Sequence, residues 1–222
     1  EQDFAHYQGR KYCLACTSGG YGLHIALRAM GLQAGGQVLT NAYTLAPVPG
    51  AIHAAGGQPV LVEIDENYHL DLADLKAKAK SSHAKILLLS LMRGHIPDMD
   101  RLMALCNELG LQVLEDCAHT MGGAWGKVKS GNFGQVAAFS LQTYKHLNTG
   151  EAGLVVTHDA EFAARFIMHS GSYMLYERHG AAPSPEVFEC IRLTSSNMSG
   201  RMDNILSTIA LTQLPDLDKN YQ

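Results

Sequence analysis

The stretch from Gln112 to Gly153, QVLEDCAHTMGGAWGKVKSGNFGQVAAFSLQTYKHLNTGEAG, constrains fold and chemistry more than any other part of this chain. Two short apolar runs, Val113-Leu114 and Val136-Ala137-Ala138-Phe139, read as buried strands bounded by turn residues. Each ends in polar groups that strand burial does not select. The first ends in Glu115-Asp116, with His119 three residues on; the second ends in Ser140, with Lys145 five residues on. In an α/β sheet, groups just past the carboxyl ends of strands face the ligand crevice. A carboxylate there can hold a protonated ring nitrogen, and a lysine there can form an imine with an aldehyde. Together they make the protein half of a pyridoxal 5'-phosphate (PLP) site, where the cofactor is the electron sink.

The rest of the chain supplies the frame. Residues 12–16 read as the first strand, and Thr17-Ser18-Gly19-Gly20 as the turn into a helix that runs to Met30. Glycines at a strand-to-helix turn let the backbone approach an anion, and free N–H groups at the helix start favour phosphate. An ordinary tight turn is the competing reading. Further strands read at 37–41, 59–62, 86–89, 112–115, 135–140 and 153–157. Helices read up to Gly56-Gly57, over 72–79, from Pro97-Asp98 to Leu109, over 159–169 and over 201–214. Residues 171–200, rich in Gly, Pro and Ser, read as a long irregular segment. Arg93 and His95 follow the fourth strand and face either substrate or solvent.

Bulk properties exclude several classes. The 222 residues, 46% hydrophobic and 17% charged, suffice for a sizeable core. With a net charge of −4 and scattered Lys and Arg, neither nucleic acid nor an anionic membrane is an expected partner. Apolar runs are too short to span a bilayer, and no signal-peptide pattern opens the chain. Five cysteines, an odd number, fit a reducing, cytoplasmic setting. Cys13 and Cys16 match C-x-x-C spacing, yet residues three apart on a strand point to opposite faces, so buried thiols are expected. The eleven histidines lack a partnered ligand spacing, and no metal site is predicted.

Glu115-Asp116-Cys117-Ala118-His119, the Ser140-to-Lys145 spacing and Thr149-Gly150-Glu151-Ala152-Gly153 together resemble the DegT/DnrJ/StrS family of PLP-dependent sugar aminotransferases. The resemblance runs from about Phe4 to Leu217. It implies the fold-type I large domain: α/β, with a mostly parallel seven-stranded sheet whose seventh strand is antiparallel, and helices on both faces. Residues 1–170 would form this PLP-binding domain, and 171–200 a segment near the site or dimer interface. Residues 201–222 would lead toward a small C-terminal domain; the chain stops where the family continues into it, so it is either a fragment or lacks that domain.

The resemblance also implies roles. Ser18, Gly19 and Gly20 match the phosphate loop, Ser140 bonds the phosphate, Asp116 pairs with the ring nitrogen, and His119 takes the usual glutamine place near the ring oxygen. Lys145 is the nucleophile. The family's ring-stacking aromatic is here Leu45; Tyr43, on the same side of an extended segment, is the substitute, with a core position as the equal alternative. Family dimers send a loop asparagine to the partner's phosphate, and Asn197 is its counterpart. The reaction implied is amino transfer from an amino acid, glutamate being the expected donor, to a keto-sugar nucleotide or related keto-polyol. The alternatives are non-transaminating chemistry, against which Lys145 argues because family dehydratases carry histidine there, and a non-catalytic regulatory module.

Overall fold

Apolar five-residue runs alternate with capped helices along the chain, and their geometry follows from that pattern. The computed structural model describes residues 1–220. In order they form α1 (Gln2–Gln8), β1 (Tyr12–Cys16), α2 (Gly19–Ala29), β2 (Gln37–Asn41), α3 (Pro47–Ala54), β3 (Gln58–Val62), α4 (Leu72–Ser81), β4 (Ile86–Ser90), α5 (Met99–Leu109) and β5 (Gln112–Asp116). A short hairpin, β6 (Ala124–Trp125) and β7 (Val128–Lys129), precedes β8 (Val136–Ser140) and β9 (Gly153–Thr157). Then come α6 (Ala160–His169), α7 (Pro185–Ile191), α8 (Asn204–Gln213) and α9 (Leu217–Asn220). Side-chain oxygens start the helices: Ser18, Asp71, Asp98, Asp159 and Asp203 each accept from an N–H of the first turn.

Seven strands make one sheet in the order β1-β9-β8-β5-β4-β2-β3. Pairing is parallel from β8 to β3, while β9 runs antiparallel to both β1 and β8. The seventh main-sheet strand is therefore the reversed one, as the resemblance implies. Period-two alternation splits each strand between two cores. Leu87, Val113, Ala137, Phe139 and Val156 pack with Phe4, Leu75 and Leu102 of α1, α4 and α5. Leu88, Leu114, Val136, Ala138 and Val155 pack with Leu27, Ile52, Ile167 and Phe188 of α2, α3, α6 and α7. A sheet covered on both faces needs apolar residues at every position, which explains the continuous runs in β4, β8 and β9. Cys13 and Cys16 fall in opposite cores, both as free buried thiols.

Three details differ from the sequence reading. The segment 171–200 is not wholly irregular, because α7 lies in it and buries Phe188 and Ile191. The last long helix starts at Asn204 rather than Arg201. Arg201 instead bridges to Cys16, and its guanidinium donates to the Gly171 carbonyl. Helix α1 and the β6–β7 hairpin were not anticipated. The final two residues of the 201–222 segment lie outside the described residues.

Glu115 anchors the turn into β8. Its buried carboxylate accepts N–H bonds from Gly131 (2.9 Å), Phe133 (2.8 Å) and Gly134 (2.7 Å). Arg10 donates to the carbonyls of Gly131 and Gly134 from the other side of the same turn. Burial pushes the Glu115 carboxyl up, against the three N–H donors and Arg10. Glu115→Ala would leave those donors unpaired and buried, so urea unfolding of the PLP-free protein should show a loss of at least about 3 kcal/mol, with Glu115→Gln losing less.

Candidate active site

The carboxyl ends of β8, β5, β4 and β2 meet the start of α2 around one cavity of about 370 Å3. Its walls bring together Ser18, Gly19, Gly20, Asp116, His119, Ser140 and Lys145, residues that the sequence spreads over 128 positions (145 less 18, counted inclusively). Close approach makes this possible. A Cβ on Gly19 would stand 2.8 Å from Ser140 Cβ, and one on Gly153 would collide with the Ser18 carbonyl. Two glycines thus let the helix start press onto the ends of β8 and β9. The Ser18 hydroxyl accepts from Tyr21 N–H at 3.1 Å, while the first N–H groups of α2 have no intrahelical acceptor. That end of the helix favours an anion.

Asp116 is partly buried at the end of β5, in the cavity wall, and one oxygen accepts from Ala118 N–H at 3.1 Å. Its other oxygen has a long 3.4 Å bond from the Ser90 hydroxyl, which itself accepts from Thr44 Oγ1 at 2.7 Å. Asn41 fixes Ser90 by bonding both its N–H and its carbonyl, at 3.0 and 3.1 Å. Burial pushes the Asp116 carboxyl up, and Ala118 N–H, Lys145 and Ser90 only partly oppose it. A carboxyl so placed is short of donors and suited to a cationic one.

Lys145 sits on the 141–152 loop between β8 and β9, half-buried in the cavity wall. Burial lowers its pKa and nearby Arg93 adds to that, while Asp116 opposes. Lys145 and Asp116 make no ion pair within 4 Å among the described residues, so each keeps its hydrogen-bonding capacity toward the cavity. His119 is lowered to about 4 by burial, then by Lys145, Arg93 and His146. It is therefore neutral at pH 7, and its Nδ1 accepts from Arg93 N–H at 3.3 Å, leaving the proton on Nε2. Ser140 Oγ accepts from Gln142 N–H at 3.3 Å at the cavity edge.

Two expected site residues are not in this wall. Tyr43 packs against the Tyr68 ring, 5.1 Å between centroids, and does not line the cavity; Leu45 and Met92 do. The reason is that Tyr68, held with φ of 65° by a turn in which Asp65 accepts from Asn67 and His69 N–H, offers Tyr43 a ring away from the cavity. Asn197 is exposed and also outside the wall, although its neighbour Met198 borders a shallow depression with Ser18 and Gly20. Of the undecided pair, Arg93 acts on His119 and Lys145, whereas His95 packs on Tyr68 and His69. Ser90 was missed; what places it in the site is the strand register that sets it beside Asp116, a non-local pairing with no sequence signal. Among the described residues no group of three His, Cys, Asp or Glu is arranged for a metal, and no helix is long and apolar enough to cross a membrane.

An anion-favouring helix start, a donor-poor, partly buried acid and an amine less basic than a free lysine in one cavity can bind a phosphorylated cationic ring and attack its carbonyl. Comparison with known proteins agrees in kind. The protein is 33% identical over 221 residues to GDP-perosamine synthase of Caulobacter vibrioides, covering 99% of this chain and 56% of that protein. It is 30% identical to a pleiotropic regulatory protein of Geobacillus stearothermophilus, with 99% of this chain and 56% of that one covered. Among solved structures, S. venezuelae DesV superposes with a TM-score of 0.82 at 30% identity, over 99% of this chain and 56% of that one. The chain thus spans about half the length of the relatives it matches. Residues 1–222 all match one family description, and the chain belongs to the DegT/DnrJ/EryC1/StrS aminotransferase family.

Proposed function

We propose that this chain carries the PLP-binding part of an aminotransferase that passes an amino group from an amino acid, glutamate being the expected donor, to a keto-sugar nucleotide or related keto-polyol. The family is PLP-dependent, and the residues present fit that cofactor. The observation that carries the reading is Asp116 and Lys145 in one cavity beside the start of α2. The acceptor class is drawn from relatives such as GDP-perosamine synthase.

PLP, when bound, supplies an aldehyde that condenses with amines and a ring that accepts electrons. The N–H groups of Gly19 and Gly20 with the hydroxyls of Ser18 and Ser140 would hold its phosphate. Asp116 would keep a proton on the ring nitrogen, an interaction that favours its own ionised form and reverses the effect of burial. His119 donates from Nε2 without adding charge. Lys145, less basic than a free lysine, reaches its neutral form at lower pH, so Nζ can attack a carbonyl and afterwards take and return a proton. Leu45, Met92 and Val48 keep that side of the cavity apolar. Tyr43 takes no part in ring stacking in this reading.

A homodimer accompanies the proposal, with Asn197 reaching the partner's phosphate. Its support is the exposed apolar surface of Tyr173, Met174, Leu175 and Leu193 in the same segment. The five free thiols, four of them buried, support a cytoplasmic setting. A second reading, a regulatory protein, is favoured by the 30% match to a pleiotropic regulatory protein. An absorption spectrum with PLP before and after glutamate separates the two, since only the enzyme converts the bound cofactor.

Three outcomes are expected. Borohydride treatment of the PLP-loaded protein, followed by mass mapping, should fix the cofactor to Lys145; attachment to Lys127 or Lys129 would overturn the assignment. Asp116→Asn should retain bound PLP but slow the half-reaction with glutamate by about 10²–10³, the scale of a lost charge contact at the reacting system. If that rate is unchanged, Asp116 is structural. Finally, amine-reagent labelling of Lys145 in the PLP-free protein should rise with pH around a midpoint below that of free lysine. Because the Asp116 charge raises the Lys145 pKa, Asp116→Asn should move this midpoint lower still; a move upward would contradict the electrostatic account.

A further inference from the structure

The 141–152 loop leaves β8 and returns to β9 with Lys145 near its middle. Its base is closed by the chain itself. Leu141 N–H bonds the Ala152 carbonyl at 2.8 Å, Thr149 N–H bonds the Leu141 carbonyl at 2.9 Å, and Thr143 N–H bonds the Gly150 carbonyl at 3.1 Å. The arm entering Lys145 is also held locally. Lys145 N–H bonds the Gln142 carbonyl at 2.9 Å, and Tyr144 N–H bonds Gln142 Oε1 at 3.1 Å. The arm leaving Lys145 is held from elsewhere in the chain. Asn148 N–H donates to Gln213 Oε1 at 3.1 Å, and Gln213 Nε2 donates to the Asn148 carbonyl at 2.6 Å. One amide from α8 thus takes both backbone groups of a residue 65 positions earlier, as a neighbouring strand would.

Packing there is less complete than hydrogen bonding. Leu147 is buried, but with Leu141 it borders a cavity of about 280 Å3 that Met202, Ala210, Leu211 and Leu214 close from the α8 side. No residue of α8 is fully buried, and Ile205 is 75% exposed. The amide of Gln213 is the directional contact between this helix and the lysine loop.

We propose that Gln213 is a positioning residue for Lys145, fixing the outgoing arm of its loop so that Nζ is presented to the cavity. This rests on the reading of Lys145 as the cofactor-binding lysine. Each bond fixes backbone three residues from Lys145, and the incoming arm is already fixed, so the side chain's origin has one position only while both arms hold. Preorganisation of this kind raises affinity by removing an ordering cost from the binding step.

Gln213→Met tests it, keeping the side-chain length and the apolar stem while removing both bonds. Asn148 is half-buried, so water can reach the released groups and the fold should survive. PLP fixed at Lys145, titrated by absorbance and trapped with borohydride, should show roughly ten-fold weaker binding, the change that two ordinary hydrogen bonds amount to. Amide exchange at residues 145–149 should accelerate, while exchange in β8 and β9 stays put and the thermal midpoint of the PLP-free protein falls by no more than about 6 °C. Unchanged PLP binding at Lys145 would overturn the proposal alone. So would a general loss of protection across β8 and β9, which would make Gln213 a strut of the fold. Cofactor fixed to another lysine in the unsubstituted protein would overturn the Lys145 reading and this proposal with it.

Discussion

The interaction on which the site depends is the desolvation of Asp116. A carboxyl with little access to water needs donors, and here it has one good N–H bond, one stretched hydroxyl and a lysine outside ion-pair range. Packing on the covered face of the sheet enforces that burial. The neighbouring strand ends, Ser90 on β4 and Ala138 on β8, stand beside it in register. An unsatisfied charge in such a place shifts toward its neutral form or waits for a cation. The same dryness lowers the basicity of Lys145 and keeps His119 uncharged. In all three groups burial is the largest influence and favours the uncharged form, and mutual charge effects come second.

Glu115 shows how narrowly such a role is assigned. It precedes Asp116 by one residue, is more deeply buried and carries the same functional group. Strand alternation points it to the other core, where three backbone N–H groups of the 131–134 turn meet it. There the carboxylate is fully used and holds the approach to β8. Adjacent carboxyls thus divide structure from chemistry by the pleat alone.

Most of the frame was legible because it is local. Strand runs bounded by glycine, Asp caps and helical spacing specified all seven main strands to within one residue at each end, and the first, second and last without error. The cavity's main polar groups were also legible, because strand ends and the glycine turn announce them. Much of what stayed illegible was non-local. Ser90 and Asn41 matter through a contact 49 residues apart that no spacing reveals. Tyr43 was drawn to Tyr68 by a turn whose left-handed residue is not a glycine, so nothing in the sequence marks it. Helix α7 hides among the Gly, Pro and Ser residues that made 171–200 read as loop; Pro185 there opens the helix and does not break it.

The reversed strand has a consequence for how the molecule is made. Among the described residues the strand that β1 pairs with is β9, from Tyr12 opposite Thr157 to Cys16 opposite Gly153. During synthesis the apolar segment YCLAC emerges well ahead of β9 and finds no strand partner until residue 157 has left the ribosome. Contacts of such sequence separation form late and slowly, and unpaired strand edges invite association while they wait. The turn at Ser18 cannot reach its final place before then either, since Gly153 lies directly beneath it. Ligand competence should therefore arrive no earlier than closure of the sheet.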